Sequence, residues 1–244
     1  MPFHPKLFPF ASNYRQFHWS SKRYEPAIEE SKMLTTKRKI MKSIITVIIC
    51  LISSTTFAQS NYEKSMGQAM SLWRSGEIQK ASALLERISQ AEKDNWIPAY
   101  YQAMILTAAA FREKDKEAQM RYIQSAETIL NNGLQENNSE WLVLKAMNTT
   151  ALMVTDPMTK AKELSPVIIS LYKKALAITP NNPRAVLGLA EFQMNAKKYF
   201  NQDSSKECED VKKAVSLFNE EKVTVPFSPS WGKDRAEQIL KVCK

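Results

Sequence analysis

Histidine is almost missing from this chain. Its two copies, His4 and His18, both lie in the first eighteen residues. From residue 59 onward there is none, which excludes histidine bases, histidine triads and histidine-ligated metals from that part. Glycine is scarce too, five in 244 residues. That is too few for a Gly-rich phosphate loop or a turn-dense all-β fold. No Walker, dinucleotide-binding, nucleophile-elbow or HExxH pattern occurs. Only three cysteines are present. Cys50 sits in an apolar run, and Cys208 and Cys243 are too few and too far apart for a structural zinc site. No apolar run reaches the ~20 residues that a membrane-spanning helix needs.

A surplus of positive charge is present, 34 Lys and Arg against 25 Asp and Glu. Most of it lies at one end. Residues 1–58 hold nine bases and three acids, so the other 186 residues carry 25 bases and 22 acids. An excess of three over so many residues is no footprint for DNA or RNA, and no nucleic-acid partner is expected.

Residues 41–58, with the basic stretch before them, have the layout of a secretory signal peptide. Lys37, Arg38, Lys39 and Lys42 precede the apolar run Ile44–Ile52, and Thr56-Phe57-Ala58 supplies small residues for cleavage after Ala58. Cys50 follows the large Ile49 and so does not suit lipidation. Residues 1–40 are aromatic-rich and without periodicity. They read as a mis-assigned upstream start or a disordered extension, with translation beginning at Met1, Met33 or Met41. The expected product is periplasmic or secreted, has no membrane span after cleavage, and runs from Gln59 as one helical domain, 59–244. Its two cysteines would then be either free or joined as Cys208–Cys243 in an oxidising compartment.

The rest of the chain is patterned with the 3.6-residue period of helices. Tyr62, Met66, Met70 and Trp73 form one stripe, and Ile78, Ala81, Leu85 and Ile88 a second after Gly76. Further helices are expected over 97–114, 115–132, 140–154, 163–179, 184–196, 205–222 and 231–243. Gly133 is expected as a C-terminal cap, and Thr155–Pro166 and Tyr199–Ser204 as insertions. The fold class is all-α, four helix pairs in series with a C-terminal capping helix.

The stretch Leu171–Ala190, LYKKALAITPNNPRAVLGLA, resembles the junction between tetratricopeptide (TPR) repeats. Ala175 stands where that family has its small residue on the second helix. Pro180 follows five positions on, and Asn181-Asn182 form the turn. Gly76 and Ala81 match the family's inter-helix positions in the first pair. The signal segment, Asn95–Tyr101 and Ser230–Lys233 are also similar to small secreted TPR-type proteins of Gram-negative bacteria.

The resemblance implies a right-handed solenoid whose inner face, built by the first helix of each pair, binds an extended segment of a partner. The groove candidates are Met66, Met70, Trp73, Tyr100, Tyr101 and Met104, although apolar stripes at this spacing also serve as inter-helix core. The function expected is a protein-interaction scaffold in the cell envelope, with another envelope protein or peptide as partner. The alternative is a periplasmic small-molecule or peptide-binding protein using the same surface. No carboxylate pair is singled out for chemistry, so no catalytic residue, metal or cofactor is assigned.

Overall fold

The computed structural model describes residues 33, 36–41, 61–133 and 137–243. The chain divides into two units, Met1–Ala58 and Gln59–Lys244. In the first unit the described residues are helical and exposed. Apart from Met41, the expected signal segment and its cleavage point lie outside the described residues.

The second unit is all-α, with no strand among the described residues. Its helices are α1 (61–74), α2 (Ile78–Ala91), α3 (Ile97–Arg112), α4 (Lys116–Asn132), α5 (Ser139–Val154), α6 (Pro157–Ile178), α7 (Pro183–Tyr199), α8 (Ser205–Glu220) and α9 (Lys233–Val242). They pair as α3/α4, α5/α6 and α7/α8, with α9 packed on α8, and α1 shares one core with α2 and α3. Short polar side chains start many of them. Asp115, Asn138, Asp156 and Asn182 each accept from backbone N–H groups in the first turn of α4, α5, α6 and α7. These bonds satisfy donors that have no partner inside the helix. Pro157 and Pro183 occupy first-turn positions where no N–H is needed.

One expectation is corrected. The segment Thr155–Pro166 is not a loop insertion. α6 begins at Pro157 and runs 22 residues with Pro166 inside it, because Asp156 caps the helix upstream of the proline. Gly133 is the C-terminal cap of α4, as expected, its N–H donating to the Ile129 carbonyl at 3.0 Å, with φ −77°. A Cβ at this position would come within 2.3 Å of the Trp141 ring. The residue is small because an indole needs the space.

Three larger clusters form the interior. One joins α1, α2 and α3 with Leu130, Trp141 and Leu144. Another joins α5, α6 and α7, and a third α7, α8 and α9. In a simple helical array each pair touches only its neighbours. Here the segment between α8 and α9 departs from that rule. Phe227 meets Tyr62 of α1 edge-to-face, with centroids 6.0 Å apart. The Trp231 indole N–H donates to the Tyr100 hydroxyl of α3 at 2.9 Å. The last connector therefore returns across the face of the first two pairs.

Cys208, in the first turn of α8, and Cys243, just past α9, form a disulfide with Cα atoms 5.6 Å apart. It closes a segment with a sequence separation of 35. Replacing both cysteines with serine is expected to lower unfolding stability by about 2 kcal/mol. This is the low end of the usual disulfide contribution, because Ala236 and Ile239 also bury α9 against its neighbours. Urea unfolding measures the change. A reductant should shift the midpoint of the native chain and leave that of the double variant unchanged.

Candidate functional site

Helices α3, α5, α7 and α9 each present one face to a groove of about 860 Å³. Each contributes residues at helical spacing, so the wall follows from the 3.6-residue period. From α3 come Met104, Ala108 and Phe111, and from α5 Met147, Thr150 and Val154. From α7 come Leu187, Glu191, Phe192 and Asn195, and from α9 Asp234, Arg235 and Gln238. Trp231 and Gly232 complete the lining between α7 and α9, and Tyr172 reaches in from α6. α3 and α5 are apolar on more than one side, which lets them face both the core and the groove.

A few polar groups punctuate this surface. Tyr172 is only 4% exposed. Its ring lies against Gly188, where an added Cβ would come within 2.4 Å of it. Its hydroxyl has no hydrogen-bond partner among the described residues. Burial, helped by the Glu191 carboxylate, holds this phenol well above its usual pKa, so it stays neutral. The Arg235 guanidinium pairs with Glu191, donating from Nε at 2.9 Å. Arg112 stands exposed at the end of α3. The site is an apolar slot carrying the exposed Arg112, the Arg235–Glu191 pair and a neutral phenol. Such a lining holds an apolar body by burial and orients it through a small number of polar groups.

Trp231 is held in place by a buried ion network. Arg184, 4% exposed, donates from Nε to both Glu140 carboxylate oxygens at 2.9 and 2.8 Å. Its Nη1 donates to Glu221 at 3.1 Å and to the Trp231 carbonyl at 3.2 Å, and Nη2 pairs with Glu221 as well. The guanidinium carbon lies 5.7 Å from the Phe218 centroid and 5.9 Å from that of Trp231. Asn182 adds a bond to Glu140 at 2.7 Å. Burial raises the Glu140 pKa, and Arg184 opposes that rise.

The six groove candidates separate. Met104 lines the groove. Met66 and Tyr100 are fully buried, and Tyr101 is 8% exposed. Met70 and Trp73 are partly buried against the same α1–α3 core. Truncating the two tyrosines therefore tests stability rather than binding. Phe111, Val154, Tyr172, Phe192, Trp231 and Arg235 were not singled out as groove residues. A signal for several of them existed in the sequence, because helices apolar on two sides need a second surface to cover.

No protein-family model matches this chain, and no curated protein matches it. Among solved structures it is similar to the HusA haemophore from Porphyromonas gingivalis. The two share 25% identity over 75% of this chain and 92% of that one, with a TM-score of 0.66.

Proposed function

We propose that this protein is a non-catalytic carrier exported from the cytoplasm, and that its groove holds a flat, mostly apolar ligand of the haem class. The observation that carries this reading is the groove itself. One continuous apolar slot is walled by all of α3, α5, α7 and α9, on a fold similar to that of a haemophore. Haem suits the lining, with a planar apolar ring for the Met, Phe and Trp side chains and a carboxylate for the exposed Arg112. No histidine is present from residue 59 onward, so retention comes from burial and from groups such as Met104, Met147 and neutral Tyr172.

In this reading the helix pairs are degenerate TPR-like repeats. Support comes from the completely buried Ala175 and from the Asn182 cap at the turn. A signal peptide ending at Ala58 accounts for export. The carrier reading is preferred over a peptide-binding scaffold on one specific ground. Phe227 and Trp231 pack on the first cluster, which takes up surface that an extended peptide would use.

The test is a titration of the protein with ferric haem, followed by its absorbance band and by quenching of tryptophan fluorescence. Trp231 in the groove should be quenched as the band develops, with saturation at micromolar haem or below. An unsaturable signal, equal to that of an unrelated helical protein, would overturn the reading.

A further inference from the structure

Two features that weaken a fold meet at one point of the groove wall. Gly188 lies inside α7, where glycine is less favourable than alanine. The neighbouring helix explains it. A Cβ there would come within 2.8 Å of the Tyr172 hydroxyl oxygen and closer still to its ring. The missing side chain makes room for the tip of the phenol, and Gly188 itself lines the groove. The second feature is the hydroxyl. Tyr172 is buried and neutral, yet its O–H has no partner among the described residues. A buried donor left unpaired costs stability, and such groups are rare.

The other polar groups of the groove differ. Thr150 Oγ1 donates to the Ala146 carbonyl at 2.8 Å, and the Trp231 indole N–H donates to Tyr100. Arg235 holds Glu191. Arg112, Asn195, Asp234 and Gln238 are exposed and reach water. Tyr100 gives the contrast within one residue type. It is fully buried too, and its hydroxyl has the indole as partner. Among the described residues of the groove, Tyr172 alone presents a buried donor with nothing to donate to. Places where a chain gives up local stability in this way are where function is expected.

We infer that the Tyr172 hydroxyl reads the ligand, donating a hydrogen bond to an oxygen atom on the bound molecule. This role rests on the carrier reading and adds a requirement to it. The ligand is not merely flat and apolar but carries an acceptor on the edge that meets α6 and α7. In the haem class those oxygens belong to the peripheral carboxylates. An ionised acceptor makes a stronger bond than a neutral one, and burial of the phenol strengthens it further. Burial also keeps the phenol protonated, as a donor must be. Glu191, whose charge the phenol feels, is held by Arg235 and does not take this proton.

Tyr172→Phe tests this role with three probes. Ferric haem and iron-free protoporphyrin carry the same carboxylates, whereas N-phenyl-1-naphthylamine is aromatic and apolar and has no oxygen. The substitution should weaken both porphyrins about tenfold and leave the naphthylamine unchanged. Without ligand, the melting temperature should stay at or above that of the parent, because an unpaired donor has been removed. A fall of about 3 °C or more would mean that the hydroxyl serves a partner within the protein, and would overturn the role. So would an equal loss for all three probes, which is a packing effect, or a loss confined to haem, which is iron ligation. The same titrations separate this role from the carrier reading. Porphyrin binding that Tyr172→Phe leaves unchanged removes the role of Tyr172 and keeps the carrier. No porphyrin binding by the parent removes both.

Discussion

Replacing Ala108 with tryptophan is expected to abolish ligand binding while leaving the fold intact. Ala108 lies on α3 between Met104 and Phe111, half-buried, with its methyl group on the groove wall. An indole there projects into the slot and occupies the space that a planar ligand needs. The core is not asked to expand, because the side chain enters open volume rather than packed interior. Haem affinity should fall by ~100-fold or more, a change of about 2.7 kcal/mol. The melting temperature should stay within about 3 °C of the parent, since substitutions that avoid core, caps and buried charge cost little. Ala109 is the control. It is also half-buried on α3 but does not line this groove, so Ala109→Trp should leave haem affinity unchanged. Equal affinity in Ala108→Trp and the parent would move the ligand site elsewhere.

Much of the fold was legible because helices announce themselves by period and punctuation. Asn181-Asn182 marked the turn before α7, and the pairing followed from short turns such as that at Gly76, whose φ is +81°. Helix limits moved mainly where a local cap competed with a breaker. The expected helix began at Glu163, yet Asp156 caps α6 and Pro157 starts it upstream of that position, with Pro166 tolerated inside.

The site was only partly legible. Met104 could be placed on the inner face because α3 repeats every 3.6 residues. Tyr100 and Tyr101, on the same helix, became core for a reason that lies more than a hundred residues away. The α8–α9 connector returns and covers them through Trp231. No period within one helix encodes such a return. Trp231 and Gly232 stood out in the sequence only as part of a closing motif. Their place beside α3 is set by Arg184, which looked like an ordinary charged residue at the start of a helix.

Arg184→Ala should be the most destabilising single substitution in this part of the chain. Removing the guanidinium leaves the Glu140 and Glu221 carboxylates, with side chains 15% and 23% exposed, without their cation. Breaking a buried pair from one side costs roughly 3–5 kcal/mol. In a domain of this size that lowers the melting temperature by about 10 °C. Arg184→Lys should recover little, because an ammonium cannot span two carboxylates and a carbonyl as the planar fork does.

The pH dependence provides the diagnostic. Glu140 already has a raised pKa from burial, and Arg184 is the main group that opposes the rise. A carboxyl whose folded pKa lies above its unfolded value stabilises the fold below the unfolded pKa, and that contribution is lost as pH rises through the folded one. Without Arg184 the folded value climbs further. The deficit of the variant should therefore shrink as pH falls from neutral toward the usual carboxylate range, where Glu140 becomes protonated and the buried charge disappears. Glu140→Gln added to Arg184→Ala should recover part of the lost stability at neutral pH and flatten this dependence. Urea midpoints across pH measure both effects. A deficit that is constant with pH would mean that Arg184 contributes through its packing between Phe218 and Trp231 rather than through its charge.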